Sequence, residues 1–113
     1  MVVLRFTREW YDKLLSGEKK QTTIPNNFMI KRGTILDLWV TKRVQELRFS
    51  VLDKKVKRVR CSEVQEKTWG ELKNDEEWAK KDGFQSLEEA RKWFLRHYGE
   101  LADSTKFVVI KWD

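Results

Sequence analysis

The stretch LLSGEKKQTTI, residues 14–24, predicts a helix that ends and a strand that follows it. Leu14 and Leu15 lie three and four residues after Tyr11, a spacing that places them on one buried face of a helix. Gly17 suits the left-handed backbone position after a helix. The β-branched residues at the end of the stretch favour a strand, so the chain is expected to change from helix to strand within a few residues.

The sequence on either side of this stretch predicts two further strands. Residues 2–6 form a short β-favouring run, and Thr7 is expected to cap the following helix with its hydroxyl. On the other side, the sequence PNN at residues 25–27 indicates a turn, and residues 34–40 have a strong strand pattern.

A longer strand pattern follows, in which Leu47, Phe49 and Val51 alternate with polar residues. The apolar phase then slips by one position. Such a slip predicts a β-bulge near Asp53 and Lys54, since an extra residue reverses the faces that the following side chains occupy.

The second half of the chain carries the remaining helices. Asn74 is expected to cap a short helix that ends at Gly83. Ser86 and Glu89 have the spacing of a capping box and predict the start of a longer helix. Residues 107–112 are β-branched and apolar, which favours a final strand.

The predicted order of elements is β-α-β-β-β-α-α-β. Strands that are grouped in the middle of the chain and completed by a terminal strand favour an α+β fold. We expect a small mixed β-barrel or curved sheet with helices packed against it, rather than a doubly wound parallel sheet. Residues 1–113 are expected to form a single domain, because 113 residues suffice for one hydrophobic core.

The composition excludes several classes of protein. With 40% hydrophobic residues and only 5 Gly and 1 Pro, the chain is not of the low-complexity or collagen-like type. Its apolar runs are far shorter than the ~18 residues of a membrane span, and the chain start has no signal-peptide pattern, so a soluble, cytoplasmic protein without membrane contact is expected. Cys61 and His97, the single residues of their types, cannot supply a four-ligand zinc site, and no structural metal is expected.

Positive charge is concentrated in the first half of the chain. The net charge is +6, but residues 1–60 carry 15 Lys and Arg against 6 Asp and Glu, whereas residues 61–113 carry 9 against 12. A surface that faces a polyanion such as RNA explains this segregation. The alternative is that the charges only solvate the surface, or form the ion-pair networks of a thermophilic protein.

Two motifs together resemble a known family. Residues 14–24 are similar to the signature G-x-K-x-x-[ET]-x-R that follows a helix in ASCH domains of the PUA-like superfamily. The sequence DGFQSLEE, residues 82–89, resembles the segment before a later helix that ends in an aromatic residue, and an apolar strand closes the chain. The resemblance covers nearly the whole chain and implies a β-barrel with flanking helices.

The resemblance also implies a function. ASCH domains are thought to bind RNA or modified nucleosides, and some small bacterial members are amidohydrolases that remove the acyl group from acetylated cytidine without metal or cofactor. In this sequence Lys19 and Thr22 match the Lys and Thr of the enzymes, and Asp82 stands where they have a Glu. Ile24 replaces the signature Arg, and with it a bidentate donor for phosphate or carboxylate.

The chemistry of these three residues leaves two roles open for the lysine. Thr22 is a poor nucleophile unless a base takes its proton, and Lys19 is a base only when neutral. Lowering a lysine pKa from ~10.4 to ~7.4 requires about 4 kcal/mol, which burial can supply. A nearby Asp82 acts in the opposite direction and favours a charged lysine that stabilises an oxyanion. The alternative is that these residues have no functional role. Residues 17–20 are then a solvated helix end, and Thr22 is an ordinary strand residue.

Further side chains are predicted to contact RNA or a nucleoside. Trp39 alternates with apolar residues in its strand and offers a base a stacking surface, although most of the six Trp are expected in the core. The basic run after the bulge suits a phosphate backbone, or alternatively protects an edge strand from aggregation. The predicted binding residues are Lys20, Thr23, Trp39, Lys42, Arg43, Lys54, Lys55, Lys57 and Arg58.

Three functions follow from these observations. The first is binding of RNA or a modified nucleoside in a basic cleft formed by residues 19–23 and Asp82, with Lys42 and Arg43 near the same cleft. The second is a metal-independent amidohydrolase that acts on acetylated cytidine-like nucleosides. The third is a protein-interaction module that uses exposed aromatic side chains.

Overall fold

A computed structural model describes residues 1–26, 29–44 and 49–113, and in these residues the chain forms five strands and four α-helices. A short 3-10 helix, Arg8–Trp10, leads into the first α-helix. The elements are β1 Val2–Phe6, α1 Tyr11–Ser16, β2 Gln21–Ile24, β3 Ile35–Val44, β4 Phe49–Thr68, α2 Trp69–Leu72, α3 Glu76–Lys81, α4 Leu87–Tyr98 and β5 Lys106–Trp112.

The strands form one mixed sheet in the order β1-β3-β4-β5-β2. β1 runs parallel to β3, and the other neighbouring strands are antiparallel. The 20-residue strand β4 pairs with β3 along its first half and with β5 along its second half. The α+β class is therefore confirmed. The predicted β-barrel is not confirmed, because β1 and β2 are left as the two edges of the described sheet.

Bulges bend the sheet where β3 and β4 pair. The register changes from Val40 opposite Lys54 to Thr41 opposite Leu52, which leaves Asp53 as an extra residue and confirms the predicted bulge. A second shift follows Leu38, and bulges of this kind increase the local twist of a sheet. The predicted alternation at Leu47 and Arg48, and the predicted turn residue Asn27, lie outside the described residues.

The core is rich in aromatic rings. Trp69 stacks on Phe94 of α4 with ring centroids 5.0 Å apart, and Trp78 meets the same ring edge-on at 5.4 Å. On β3 the even-numbered residues Leu36, Leu38 and Val40 are almost completely buried and face this core. The helices therefore cover one face of the curved sheet and leave the opposite face of β3 outside.

Helix starts depart from the prediction in three places. Thr7 does not cap a helix with its hydroxyl, because that hydroxyl donates a hydrogen bond to Glu9 instead. Asp75, and not Asn74, caps α3 by accepting from the amide of the residue three positions later. The predicted order of elements also did not include α2, a four-residue helix whose capping box begins at Thr68. Ser86 caps α4 as predicted, since its hydroxyl accepts from the Glu89 amide, but the described hydrogen bonds do not include the return bond to the Glu89 side chain that would complete the predicted capping box.

None of the helices in the described ranges is long and apolar enough to cross a membrane.

Candidate functional site

A cavity of about 130 Å³ lies where the two edge strands approach each other. We call it the edge cavity. Residues of β1 and β2 contribute to its wall, and the exposed His97 and Tyr98 at the end of α4 lie at its mouth. The lining residues are Arg5, Phe6, Thr7, Trp10, Lys19, Thr22, Thr23, Ile24, Asp82, Phe84, Trp93, Phe94, His97 and Tyr98. The three residues matched to the ASCH enzymes, Lys19, Thr22 and Asp82, are thus brought to one cavity.

Lys19 and Asp82 form a buried ion pair in this cavity. Gly17 adopts the predicted left-handed conformation, with φ +86°, and turns the chain after α1 toward the interior. The Lys19 ammonium donates to the backbone oxygen of Asp82 at 2.5 Å and lies 3.4 Å from Oδ2 of its carboxylate. The two side chains are only 3% and 5% exposed. The ammonium also lies 4.5 Å from the ring centroid of Trp10, in cation–π geometry.

The Asp82 carboxylate is held from three directions. Its Oδ1 accepts hydrogen bonds from Gln21 and Thr23, each at 3.1 Å. The Thr23 hydroxyl in turn accepts from the Trp78 indole at 2.9 Å. Because side chains alternate along a strand, residues 21 and 23 of β2 both face Asp82. The carboxylate is therefore fixed in position, as a group that orients a ligand must be.

Burial lowers the pKa of Lys19 below the ordinary lysine value. Desolvation penalises the charged amine, the carboxylate of Asp82 opposes this effect through its charge and its hydrogen bond, and the Lys13 ammonium adds a smaller lowering. The desolvation effect dominates. This direction lowers the cost of using Lys19 as a base, while the pair with Asp82 supports the charged form, so both roles that the sequence left open for Lys19 remain open.

Thr22 and Ile24 lie on β2 and complete the wall of the cavity. Thr22 pairs with Ile110 of β5 and is 9% exposed. Within the described residues, its hydroxyl makes no hydrogen bond with Lys19 or Asp82. Ile24, at the position of the signature Arg, places a half-buried apolar side chain in the lining. This wall therefore lacks the anion-binding guanidinium of the signature.

Close packing at Gly83 sets the position of Asp82. Gly83 has φ +104°, and a Cβ atom there would lie 2.8 Å from the Trp10 ring. The Lys13 ammonium donates to the Gly83 backbone oxygen. Only glycine lets this backbone segment approach α1 so closely, and the approach brings Asp82 to Lys19.

The mouth of the cavity contains residues that sequence analysis did not assign to the site. His97 stacks on Trp93 with ring centroids 3.7 Å apart. Its Nδ1 lies 2.9 Å from the Trp93 backbone oxygen, and since a carbonyl only accepts, Nδ1 carries the proton in this contact. Burial raises the pKa of Tyr98, and the Asp82 charge adds to the increase. The four-residue spacing of Trp93 and His97 on a predicted helix could have indicated that the two rings share one helix face. Nothing in the local sequence distinguishes Arg5.

The other predicted binding residues lie outside this cavity, and half of them have acidic or aromatic partners. Lys42 lies 3.9 Å from Asp53, and the Lys54 ammonium lies 4.7 Å from the Tyr11 ring centroid. Lys55 and Arg58 both pair with the carboxylate of Asp37, at 3.4 and 2.7 Å. Lys20 and Arg43 are exposed, and Lys57 is half-buried opposite Leu38. Lys42 and Arg43 thus do not border the cleft that residues 19–23 and Asp82 form.

Trp39 lies on the outer face of the sheet. It alternates with the buried residues Leu38 and Val40, and it is half-buried. Its register partners are Arg5 on β1 and Lys55 on β4. Trp39 therefore stands between two basic residues on the face that the helices leave uncovered.

No arrangement of three or more His, Cys, Asp or Glu side chains that could hold a metal ion occurs within residues 1–26, 29–44 and 49–113.

Comparison with known proteins identifies the fold. No family model and no curated protein matches the sequence. Solved structures do match. The hypothetical protein PH0355 aligns with a TM-score of 0.68 and 17% identity over 99% of this chain and 96% of that chain. An ASCH domain from Lactobacillus crispatus JV V101 aligns with a TM-score of 0.58 and 14% identity over 99% of this chain and 77% of that chain. The chain has an ASCH-like fold.

A further structure agrees with this assignment. The protein EF3133 from Enterococcus faecalis V583, of the family DUF984, aligns with a TM-score of 0.63 and 14% identity, again over 99% of this chain and 77% of that one. At such identities the likeness is one of fold. The ASCH-like fold confirms the resemblance that the sequence motifs indicated, while the site residues have to be interpreted from their own geometry.

Proposed function

We propose that this ASCH-like protein binds RNA or a modified nucleoside by accepting one base in the edge cavity. The observation that carries the proposal is a small, ring-lined cavity that contains the buried Lys19–Asp82 pair. Ligand sites are mostly apolar concavities with a few fixed polar groups, and this cavity has that composition. We infer that the sheet beside it corresponds to a PUA-like barrel that stays open between β1 and β2.

The volume of the cavity favours a single six-membered ring. A cavity of about 150 Å³ in another protein holds one benzene molecule, and the edge cavity measures about 130 Å³. A pyrimidine base therefore suits it better than a purine. The rings of Trp10 and Trp93 in the lining supply apolar and edge-on aromatic contacts for a base.

The polar groups of the cavity suit a base with donors and acceptors on its edge. The Thr22 hydroxyl can donate or accept, and the Nε2 atom of His97 is left as an acceptor when Nδ1 carries the proton. The net positive charge of residues 1–60 attracts a phosphate-bearing ligand and makes its affinity depend on salt. A ligand of this kind is present in the cytoplasm, and we infer that residues 1–113 act there as one domain.

The proposal is tested by titrating acetylated cytidine, cytidine and a short single-stranded RNA into the protein at low salt, with tryptophan fluorescence as the readout. Lys19→Met and Thr22→Val are expected to weaken binding at least tenfold. Thr22→Val keeps the side-chain shape and leaves the Lys19–Asp82 pair in place, so its effect on binding is separate from loss of that pair, and thermal unfolding of the variant checks its folding. Lys92→Met, which removes an exposed lysine of α4 that pairs with Glu88, serves as the control. Absence of binding, or wild-type affinity in both cavity variants, would refute the proposal.

A second function, hydrolysis of an acylated cytidine, is favoured by the direction of the Lys19 pKa. In this reaction the Thr22 oxygen would attack the acyl carbonyl while the neutral Lys19 amine takes the hydroxyl proton. The C–N bond then breaks, the proton passes to the leaving amine of cytidine, and the acyl group remains as an ester on Thr22. Water hydrolyses this ester to the free acid and restores the hydroxyl.

Chromatography of acetylated cytidine after incubation with the protein separates the two functions. If the protein is a hydrolase that uses these residues, Thr22→Val and Lys19→Met should each abolish deacetylation. Stoichiometric binding without release of cytidine would exclude hydrolysis of this substrate and leave binding as the function.

A further inference from the structure

Arg5 connects the edge cavity to the outer face of the sheet. It lies on the edge strand β1, lines the cavity and is exposed to solvent. In the parallel register of β1 and β3, Arg5 stands directly beside Trp39. Because neighbouring residues in register share a face of the sheet, both side chains leave on the same side. Trp39 is thus one strand away from the rim of the cavity at Arg5.

Trp39 is available for stacking in a way that the packed tryptophans are not. Trp10, Trp69, Trp78, Trp93 and Trp112 each have a ring contact with another aromatic side chain. Among the described residues, no ring and no cation is stacked on Trp39. A half-buried indole with no ring stacked on it offers one flat surface that a nucleobase can cover.

The charges around Trp39 complement a phosphate backbone. Arg5 flanks it on one side and Lys55 on the other, and Arg58 lies further along β4 on the same face. Asp37 is the acidic residue of this face, and it neutralises part of the charge of Lys55 and Arg58. Arg5 has no ion-pair partner in the described part of the chain. The cation next to the cavity is therefore the one most free to bind a phosphate.

We propose that the ligand is a nucleotide within single-stranded RNA: one base enters the edge cavity, the neighbouring base stacks on Trp39, and the phosphate between them binds Arg5. This inference rests on the proposed function and specifies its ligand. A free nucleoside occupies only the cavity, whereas an oligonucleotide gains one stacking contact and at least one phosphate contact. RNA is therefore expected to bind at least tenfold more tightly than the nucleoside at low salt.

The test compares two ligands and three variants. The ligands are acetylated cytidine and a five-nucleotide single-stranded RNA with acetylated cytidine at its centre. Trp39→Ala is expected to weaken RNA binding about tenfold and to leave nucleoside binding unchanged, while Trp39→Phe retains most of the RNA affinity. Arg5→Gln is expected to lower the slope of log Kd against log salt by about 0.7, the value for one phosphate contact on a single strand.

The outcomes distinguish this inference from the proposed function. If the nucleoside binds in the cavity but RNA binds no more tightly, or if Trp39→Ala leaves RNA affinity unchanged, the inference is overturned and the proposed function stands. If neither ligand binds, both fail. Thermal unfolding of each variant shows whether a loss of binding reflects a loss of folding.

Discussion

Replacing Asp82 with alanine should destabilise the fold strongly, because it leaves the buried Lys19 ammonium without its carboxylate partner. At the observed 3.4 Å separation, and with an effective dielectric constant of about 20, the attraction between the two charges is about 5 kcal/mol. Removal of one member of a buried pair typically costs about 3–5 kcal/mol. The cost has an upper limit, since Lys19 can instead lose its proton, which requires about 4.6 kcal/mol at pH 7 for a lysine of ordinary pKa. We therefore expect Asp82→Ala to lower the free energy of unfolding by about 3–5 kcal/mol.

The pH dependence and a second variant identify the cause of this loss. In Asp82→Ala the folded state holds Lys19 neutral and the unfolded state binds its proton, so stability rises with pH up to the unfolded pKa near ~10.4. The loss should shrink by up to about 1.4 kcal/mol per pH unit above pH 7. The double variant Lys19→Met, Asp82→Ala removes both charges and should be more stable than Asp82→Ala alone.

Urea unfolding followed by tryptophan fluorescence measures these differences. A loss below about 1 kcal/mol for Asp82→Ala, which is the range of an exposed ion pair, would refute the buried-pair account. Equal stability of the single and double variants would refute it as well, since the destabilisation would then come from lost packing rather than from an unpaired charge.

Two further substitutions have defined outcomes. Gly83→Ala should lower the free energy of unfolding in urea by more than the ~1–3 kcal/mol of backbone strain alone. The reason is that φ is +104° there and the new Cβ would also lie 2.8 Å from the Trp10 ring. Asp37→Asn should lower stability at neutral pH, and the difference from wild type should vanish in acid. The hydrogen bond from Arg58 lowers the pKa of Asp37, so its stabilising contribution is complete above the ordinary Asp pKa of about 3.9 and is lost as pH falls through the lowered folded value. Unfolding curves recorded from pH 7 to pH 2 measure this loss.

Matched controls are available for both. Gly33→Ala also has a positive φ, +93°, but no atom lies within 4 Å of the added Cβ, so it measures backbone strain without the clash. A loss no larger than that of Gly33→Ala would contradict the close packing at Gly83. Glu88→Gln removes an exposed carboxylate that pairs within α4. It should change the stability measured between pH 7 and pH 2 only slightly. If Asp37→Asn behaved like Glu88→Gln, the ion pair across β3 and β4 would not stabilise the protein.

The local features of the fold were predictable because neighbouring residues determine them. The left-handed Gly17, the cap at Ser86 and the bulge at Asp53 follow from backbone preference, side-chain capping and apolar phase. The helix α2 was missed because four residues that include a glycine give no helical period. Thr7 was assigned as a cap from residue type alone, but the side chain two positions later binds its hydroxyl instead.

The site was predictable only in part, because it is formed across long separations in the sequence. Lys19 and Asp82 are 63 positions apart, and only the family resemblance connected them. The burial that lowers the pKa of Lys19 depends on packing between α1, β2 and the loop after α3. Arg5 and His97 join the site through the approach of β1 and α4. The pairing of Lys55 and Arg58 with Asp37 depends on the register of β3 and β4, so the basic run could not be known to be partly neutralised.

The central claim, that the edge cavity accepts a base, is tested most directly by the indole N–H signals of the six tryptophans in an NMR titration with acetylated cytidine. The signals of Trp10 and Trp93, which line the cavity, should shift and saturate together, while that of Trp39 on the outer face stays in place until single-stranded RNA is added. Absence of a saturable shift at Trp10 and Trp93, or a nucleoside-induced shift at Trp39 alone, would contradict the account.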